Sequence, residues 1–301
     1  MLSTTATTLL SAAFTVTYVL PLYILPGTRS SPTVDRNDPA VIQRRIRAIG
    51  ISSFLCSLGV FVFLVSWADK SPLEALSVMG WWPVGFYDTL KCLLLTAILF
   101  IGPLFEKGVI DDEFWEWIDG RRFKEIAHDW VDWRNYVAAP ITEEVVFRSV
   151  MTSIQVISSM SPTKIIFITP LYFGIAHVHH LLESRLSDPR ARWLPLIIRT
   201  VVQFGYTTLF GWYATFLYLR TGSLLAVCLV HSFCNINGLP RFWGRIERYR
   251  PGTPDESGSA RYEELPIVWT YAYYALLIAG AIAFKMLLWT LTASDSALVS
   301  F

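Results

Sequence analysis

AIGISSFLCSLGVFVFLVSWA, running from Ala48 to Ala68, contains no charged residue. At a rise of 1.5 Å per residue it makes a helix of about 30 Å, the thickness of a bilayer's hydrocarbon layer. Working outward with the same window, seven more stretches qualify as candidates: Thr7 to Leu25, Asp88 to Phe105, Tyr136 to Ile157, Lys164 to Leu182, Leu196 to Leu219, the short Ser223 to Ile236, and Ile267 to Leu291. In the last of these a single Lys285 lies near enough to the end to snorkel. Of the 301 residues, 53% are hydrophobic and 16% charged, against about 25% charged in soluble domains. That balance excludes a disordered chain, a disulfide scaffold and an ordinary soluble enzyme. The net charge of +1 gives no bulk attraction to nucleic acid. Cys56, Cys92, Cys228 and Cys234 all fall inside apolar runs and are expected as buried thiols. The expected fold is all-α: a polytopic membrane bundle of about eight transmembrane helices. Residues 1–301 form one integral-membrane domain, with its polar core at about 136–236.

The loops give the expected orientation. Arg29, Arg36, Arg44, Arg45 and Arg47 follow the first span; Arg185, Arg190 and Arg192 follow the fifth; Arg241, Arg245, Arg248, Arg250 and Arg261 follow the seventh. The loops between them are almost free of basic residues. With eight alternating spans all the Arg-rich loops share one side, which the positive-inside rule makes cytosolic, with both termini opposite. No Lys or Arg precedes Arg29, so the first span lacks the basic leader of a cleaved signal. The stretch from Glu106 to Arg134 mixes acids with Phe114, Trp115, Trp117, Trp130 and Trp133, and is expected as an amphipathic helix in the headgroup zone.

Ionisable groups at membrane depth are costly and point to function. Here Glu143, Glu144 and Arg148 interrupt the fourth span. His177, His179 and His180 fall in the fifth, and His231 in the seventh. Glu143 lies seven residues into its span, roughly 10 Å deep; His177 and His231 lie five residues before their exits, roughly 7–8 Å deep. Three helices therefore bring polar groups to one level. Glu144 with Arg148, Phe173 with His177, and His231 with Asn235 are i,i+4 neighbours. Glu144 and Arg148 serve equally well as a structural ion pair, whereas Glu143 has no such partner in its own span. His179 and His180, closer to the exit, are expected at the interface.

A carboxylate and a neutral imidazole can hold and deprotonate a water, and a second imidazole with an amide can stabilise the oxyanion that forms on a carbonyl. The same Glu143, His177 and His231 also satisfy a His₂Glu zinc site with an open position. A proton-coupled transporter or a non-catalytic scaffold is a further class. Paired broken helices in two halves, which would favour a transporter, are not evident.

Three motifs occur in order: Glu143-Glu144-Val-Val-Phe-Arg148 as E-E-x-x-x-R, Phe173-Gly-Ile-Ala-His177 as F-x-x-x-H, and His231-Ser-Phe-Cys-Asn235 as H-x-x-x-N. The ordered set resembles the CAAX-processing and bacteriocin-processing membrane peptidases, and within them the eukaryotic type II CAAX prenyl endopeptidases of the Ras-converting kind. The resemblance implies an endoplasmic-reticulum protease that removes the last three residues of farnesylated or geranylgeranylated CAAX proteins, Ras-type small GTPases among them, at the surface of membrane lipids. It implies that Glu143 and His177 activate the water, that His231 and Asn235 form the oxyanion hole, and that Glu144 and Arg148 support Glu143. It implies no cofactor and no catalytic metal.

Overall fold

The computed structural model describes residues 2–254 and 260–301; residues 255–259 of the last basic loop lie outside the described residues. Each of the eight apolar stretches is helical. In chain order the bundle consists of α1 (Thr4–Ile24), α2 (Pro39–Ser66), α3 (Phe86–Leu99), α4 (Ile101–Ile110), α5 (residues 130–157), α6 (Pro162–Ser187), α7 (Trp193–Thr221), α8 (Leu224–Asn237) and α9 (Ile267–Leu291). Four of these, α1, α2, α6 and α9, are long and apolar enough to cross a membrane, and a fifth is added when α3 and α4 count as one broken span. The fold is thus a predominantly helical, multi-pass membrane bundle.

Local chemistry sets the helix ends. Ser3 caps α1 through the Ala6 amide at 3.2 Å, and Asp38 caps α2 through the Ala40 and Val41 amides at 2.8 and 3.3 Å, with Pro39 in the first turn. Gly222 ends α7 at φ +59°, and a Cβ there would fall 2.3 Å from the Ser296 carbonyl oxygen.

Three expectations need correction. The Asp88–Phe105 stretch is not one straight span, because α3 and α4 meet at 78°. The cause is Pro103, which has no N–H to give and whose ring would collide with the carbonyl of Leu99, the last residue of α3. The α9 helix nests against the bend: a Cβ on Gly280 would sit 2.5 Å from the Ile98 carbonyl oxygen. The Glu106–Arg134 stretch is likewise not a single amphipathic helix. It breaks at Asp112 (φ +62°) and Gly120 (φ +76°) into short helices, Phe114–Ile118 and Arg121–His128 among them, with Phe114, Trp115, Ile118 and Phe123 exposed. The loop after α8 is also more than a loop, for it carries an antiparallel hairpin, β1 (Glu247–Pro254) and β2 (Ala260–Glu264), paired Glu247 to Glu264.

Residues 144–155 of α5 are buried throughout, so this helix is the axis around which the others pack. Val146, Phe147 and Met151 meet Tyr18 of α1, Ile49 of α2, and Phe173 and Ala176 of α6. Val145 joins the α7–α8 cluster, and Val150 with Ile154 joins Cys56, Val60 and Leu64 of α2. The hydroxyls and the amide on the lower part of this axis find partners, as such groups in a hydrocarbon surround tend to. Ser149 donates to the Met79 carbonyl at 2.6 Å, Ser153 to the Val78 carbonyl at 2.9 Å, and Gln155 to Ser11 at 3.2 Å; Thr169 of α6 donates to Gln155. All four cysteines are free thiols, and Cys56, Cys92 and Cys228 are buried.

The connections segregate to two ends. At one, Arg45 lies beside Glu183, Arg134 bonds Asn37, Lys107 donates to the Ile236 carbonyl, and Arg241 pairs with Glu106. At the other, the Leu224 amide donates to the Gly80 carbonyl, Ser223 to the Val84 carbonyl, Ser294 to Asp88, and the Leu298 amide to the Leu219 carbonyl. The Arg-rich loops therefore share one end of the bundle.

Candidate active site

Glu143 and Glu144 stand on α5 directly before a π-helical stretch, Val145–Val150, the kind of bulge often found at functional sites. Glu143 faces a cavity of ≈ 1270 Å³, which His177, His231 and Asn235 also line. The four residues expected to touch substrate thus converge from α5, α6 and α8. Glu144 and Arg148 do not line the cavity. They lie behind it, 0% and 1% exposed, with the Arg148 guanidinium 3.1 Å from Glu144 Oε1 and stacked over the Phe173 ring at 4.6 Å.

Close packing of α6 on α7 fixes His177. A Cβ on Gly174 would lie 2.4 Å from Thr208 Oγ1, and one on Gly211 would lie 2.6 Å from Pro170 Cβ. Only glycine lets the two backbones approach so closely, as small residues commonly do between membrane helices. One turn behind His177, the Phe173 carbonyl accepts a hydrogen bond from its Nδ1 at 2.8 Å. Since a carbonyl can only accept, Nδ1 carries the proton and the neutral ring keeps a lone pair on Nε2. The ring also stands edge-on to Phe173, with centroids 4.6 Å apart.

His231 is held between two carboxylates. Its Nδ1 donates to Glu144 Oε1 at 2.7 Å, while Nε2 lies 3.7 Å from Glu143 Oε2. The ring packs against Phe210, with centroids 4.4 Å apart. Because Nδ1–H is committed to Glu144, Nε2 can donate toward the cavity only when the ring is imidazolium. The pairing also shows that Glu144 is more than a partner for Arg148 in its own helix. On the next turn of α8, Asn235 is exposed to the cavity, and its Nδ2 donates to the Asn135 carbonyl at 2.9 Å.

His179 and His180 also reach the cavity. His179 Nδ1 lies 2.8 Å from the Tyr23 hydroxyl, and His180 Nδ1 lies 3.1 Å from Glu183 Oε2. Glu183 itself, buried and clamped by Arg36 at 3.0 Å and Arg45 at 2.5 Å, had escaped notice because it falls one residue beyond the fifth apolar run. The usable signal was its i,i+3 spacing from His180 opposite an Arg-rich loop. Among the described residues, His179, His180 and Glu183 are the acids and imidazoles whose ligand atoms converge within 4.8 Å of one another. Glu143, His177 and His231 do not converge that closely. Two guanidiniums on Glu183 make its surroundings cationic and a poor seat for a metal ion.

The side of the cavity between α7 and α9 is largely apolar. Trp212, Tyr213 and Phe216 of α7 face Leu277, Phe284 and Leu288 of α9 across the cavity. They meet at the end away from the basic loops, where Tyr213 touches Phe284 and Phe216 touches Trp289, each pair with centroids 5.5 Å apart.

Residues 130–237 match the family described as type II CAAX prenyl endopeptidase Rce1-like. The chain is 36% identical to the "Probable CAAX prenyl protease 2" of Schizosaccharomyces pombe, an alignment that covers 92% of this chain and 91% of that protein. It is 34% identical to the human "CAAX prenyl protease 2", covering 76% and 70%. Against the Saccharomyces cerevisiae protein of the same name it is 29% identical, covering 92% of each. No solved structure gives a significant match. The matched segment holds all three motifs and the helices that carry Glu143, His177, His231 and Asn235, and with the identity over most of the chain this places it among the Rce1-like type II CAAX prenyl endopeptidases, a family of membrane proteases.

Proposed function

We propose that this protein removes the terminal tripeptide from prenylated CAAX proteins, Ras-type small GTPases among them, by water activated at Glu143. The supporting observation is that Glu143, His177, His231 and Asn235 line one cavity that has a polar, arginine-bearing end and an aromatic and aliphatic side between α7 and α9. An isoprenoid suits the space between α7 and α9, and the peptide suits the polar end. The shared end of the basic loops supports a cytosolic-facing site in the endoplasmic reticulum membrane, with both termini lumenal if the eight helical stretches all cross.

In this reading a water sits between the Glu143 carboxylate and His177 Nε2. Glu143 takes its proton as the oxygen attacks the carbonyl of the prenylated cysteine. The resulting oxyanion accepts hydrogen bonds from His231 Nε2–H and Asn235 Nδ2–H, while Glu144 holds the His231 ring in place and neutralises Arg148. Collapse breaks the C–N bond, and the proton on Glu143 passes to the departing amine. The products are a prenylcysteine carboxylate and a free tripeptide. No metal takes part in these steps.

The deciding experiment incubates purified protein with a farnesylated CAAX peptide and follows tripeptide release, together with metal analysis of the same active preparation. Tripeptide release with far less than one zinc per chain is the expected result. Absence of release would remove the activity. Stoichiometric zinc whose chelation stops turnover would instead make Glu143, His177 and His231 ligands.

A further inference from the structure

Arg134 stands in the first π-helical stretch of α5, Arg134–Ala138, at the polar end of the cavity. Its hydrogen bonds go to neutral acceptors: Asn135 Oδ1 at 3.0 Å, Asn37 Oδ1 at 3.1 Å and the Arg36 carbonyl at 3.3 Å. Arg36 and Arg45, which line the same end, share one carboxylate, Glu183. Among the described residues this corner therefore gathers three guanidiniums around Glu183, with Asp129 as a second acid near Arg134. Burial, with the positive charges of Arg36 and Arg45 beside it, brings the Arg134 guanidinium down to about 10, low for an arginine yet still charged at neutral pH. The corner is short of negative charge, and a carboxylate is the natural complement of a planar guanidinium fork.

The spacing to Glu143 is informative. Arg134, Ala138 and Thr142 on one row and Asn135, Ala139 and Glu143 on the next all line the cavity, so a single stripe of α5 runs from the guanidinium to the carboxylate over small side chains. Nine residues of helix rise roughly 13 Å. Three residues of extended peptide span about 10 Å, and one hydrogen bond of about 3 Å makes up the difference.

We propose that Arg134 binds the terminal carboxylate of the substrate tail and so sets the distance at which the scissile bond meets Glu143. This rests on the tripeptide-releasing activity proposed above and assigns the α-carboxylate of the last residue its own subsite.

The test compares a farnesylated CAAX peptide bearing a free C-terminal acid with the same peptide amidated, using wild type, Arg134→Gln, Arg134→Lys and Arg199→Gln. Arg199 is another guanidinium of the cavity wall, exposed on α7. Wild type is expected to cleave the acid about 10- to 100-fold better by kcat/KM, the worth of a hydrogen bond to a charged group. Arg134→Gln should bring the acid down toward the amide, leaving a ratio near one, and Arg134→Lys should restore part of the preference. Arg199→Gln should keep it. Residual cleavage of the amide by Arg134→Gln shows that the variant is folded. Equal cleavage of acid and amide by wild type would overturn the proposal, as would a preserved ratio in Arg134→Gln or a parallel loss on both substrates. Equal stimulation of both substrates by anionic over neutral lipid vesicles, abolished in Arg134→Gln, would reassign the corner to lipid phosphate and likewise overturn it. Failure of the proposed activity looks different, because wild type would then release no tripeptide from either peptide.

Discussion

Glu144, on α5, accepts a hydrogen bond from His231 Nδ1, on α8, at 2.7 Å, and the same Oε1 stands 3.1 Å from the Arg148 guanidinium. One oxygen thus joins two helices and balances one buried cation. Two substitutions separate these duties. Glu144→Gln and Glu144→Ala both leave Arg148 buried without its counter-charge, which typically costs about 3–5 kcal/mol, and Gln alone keeps an acceptor for His231. Melting temperature and kcat measured on each preparation check this: both variants should lose melting temperature, and kcat should fall further in Ala than in Gln, which should retain measurable turnover.

Glu143→Gln preserves shape and removes the base. Cleavage of a farnesylated CAAX peptide should drop by about 10²–10⁴, the usual worth of general-base catalysis, while expression and melting temperature hold. Activity near that of wild type would remove Glu143 from the mechanism.

Asn235→Ala bears on the oxyanion assignment. Loss of one donor typically lowers kcat by about 10²–10³, with KM nearly unchanged. Asn235 also ties α8 to the Asn135 carbonyl at 2.9 Å. If that tie were its whole role, melting temperature would fall and kcat per folded molecule would stay intact. Recording kcat, KM and melting temperature on one preparation separates the two.

Gly211→Val probes the α6–α7 seam. Its Cβ would collide with Pro170, seven residues before His177. Overpacking of this kind costs about 1–3 kcal/mol. Here it should also displace Phe173 and His177, lowering kcat along with the melting temperature. A change at Gly205 of the same helix, where a Cβ would meet nothing within 4 Å, should do neither.

Single-cysteine labelling in sealed microsomes tests the orientation. A cysteine placed between Gly238 and Pro266 should react without permeabilisation, and one placed after Thr292 should react only with it. The reverse pattern would turn the site to the lumen.

The helices were legible because most of the apolar runs are long enough to register against the bilayer's thickness, and Glu143, His177 and His231 because their depths matched, with Asn235 one turn beyond His231. Contacts between helices were not. Periodicity orders side chains within a helix and is silent on which helix it faces, so Glu144 read as a partner of Arg148 alone and its bond to His231 went unseen. The 78° bend was written in Gly102-Pro103, but averaging hydropathy over a long window hides one proline. Glu183 and Arg134 fell just outside the apolar windows, where a charge reads as solvated. The β1–β2 hairpin lies in a segment read only for its arginines.

The hydrogen bonds that Ser149, Ser153 and Gln155 make to neighbouring backbone and side chains anchor α5 at the end farthest from Glu143. A helix held this way cannot slide along its axis or rotate without breaking bonds that no water is at hand to replace. The floor of the cavity is therefore stationary. Whatever displacement admits a bulky lipidated chain falls to the opposite side, where α7 and α9 meet through aromatic rings that can slip past one another at little cost. The reacting carboxylates therefore stand on a fixed backbone, and the aromatic α7–α9 seam is the part of the wall with room to yield.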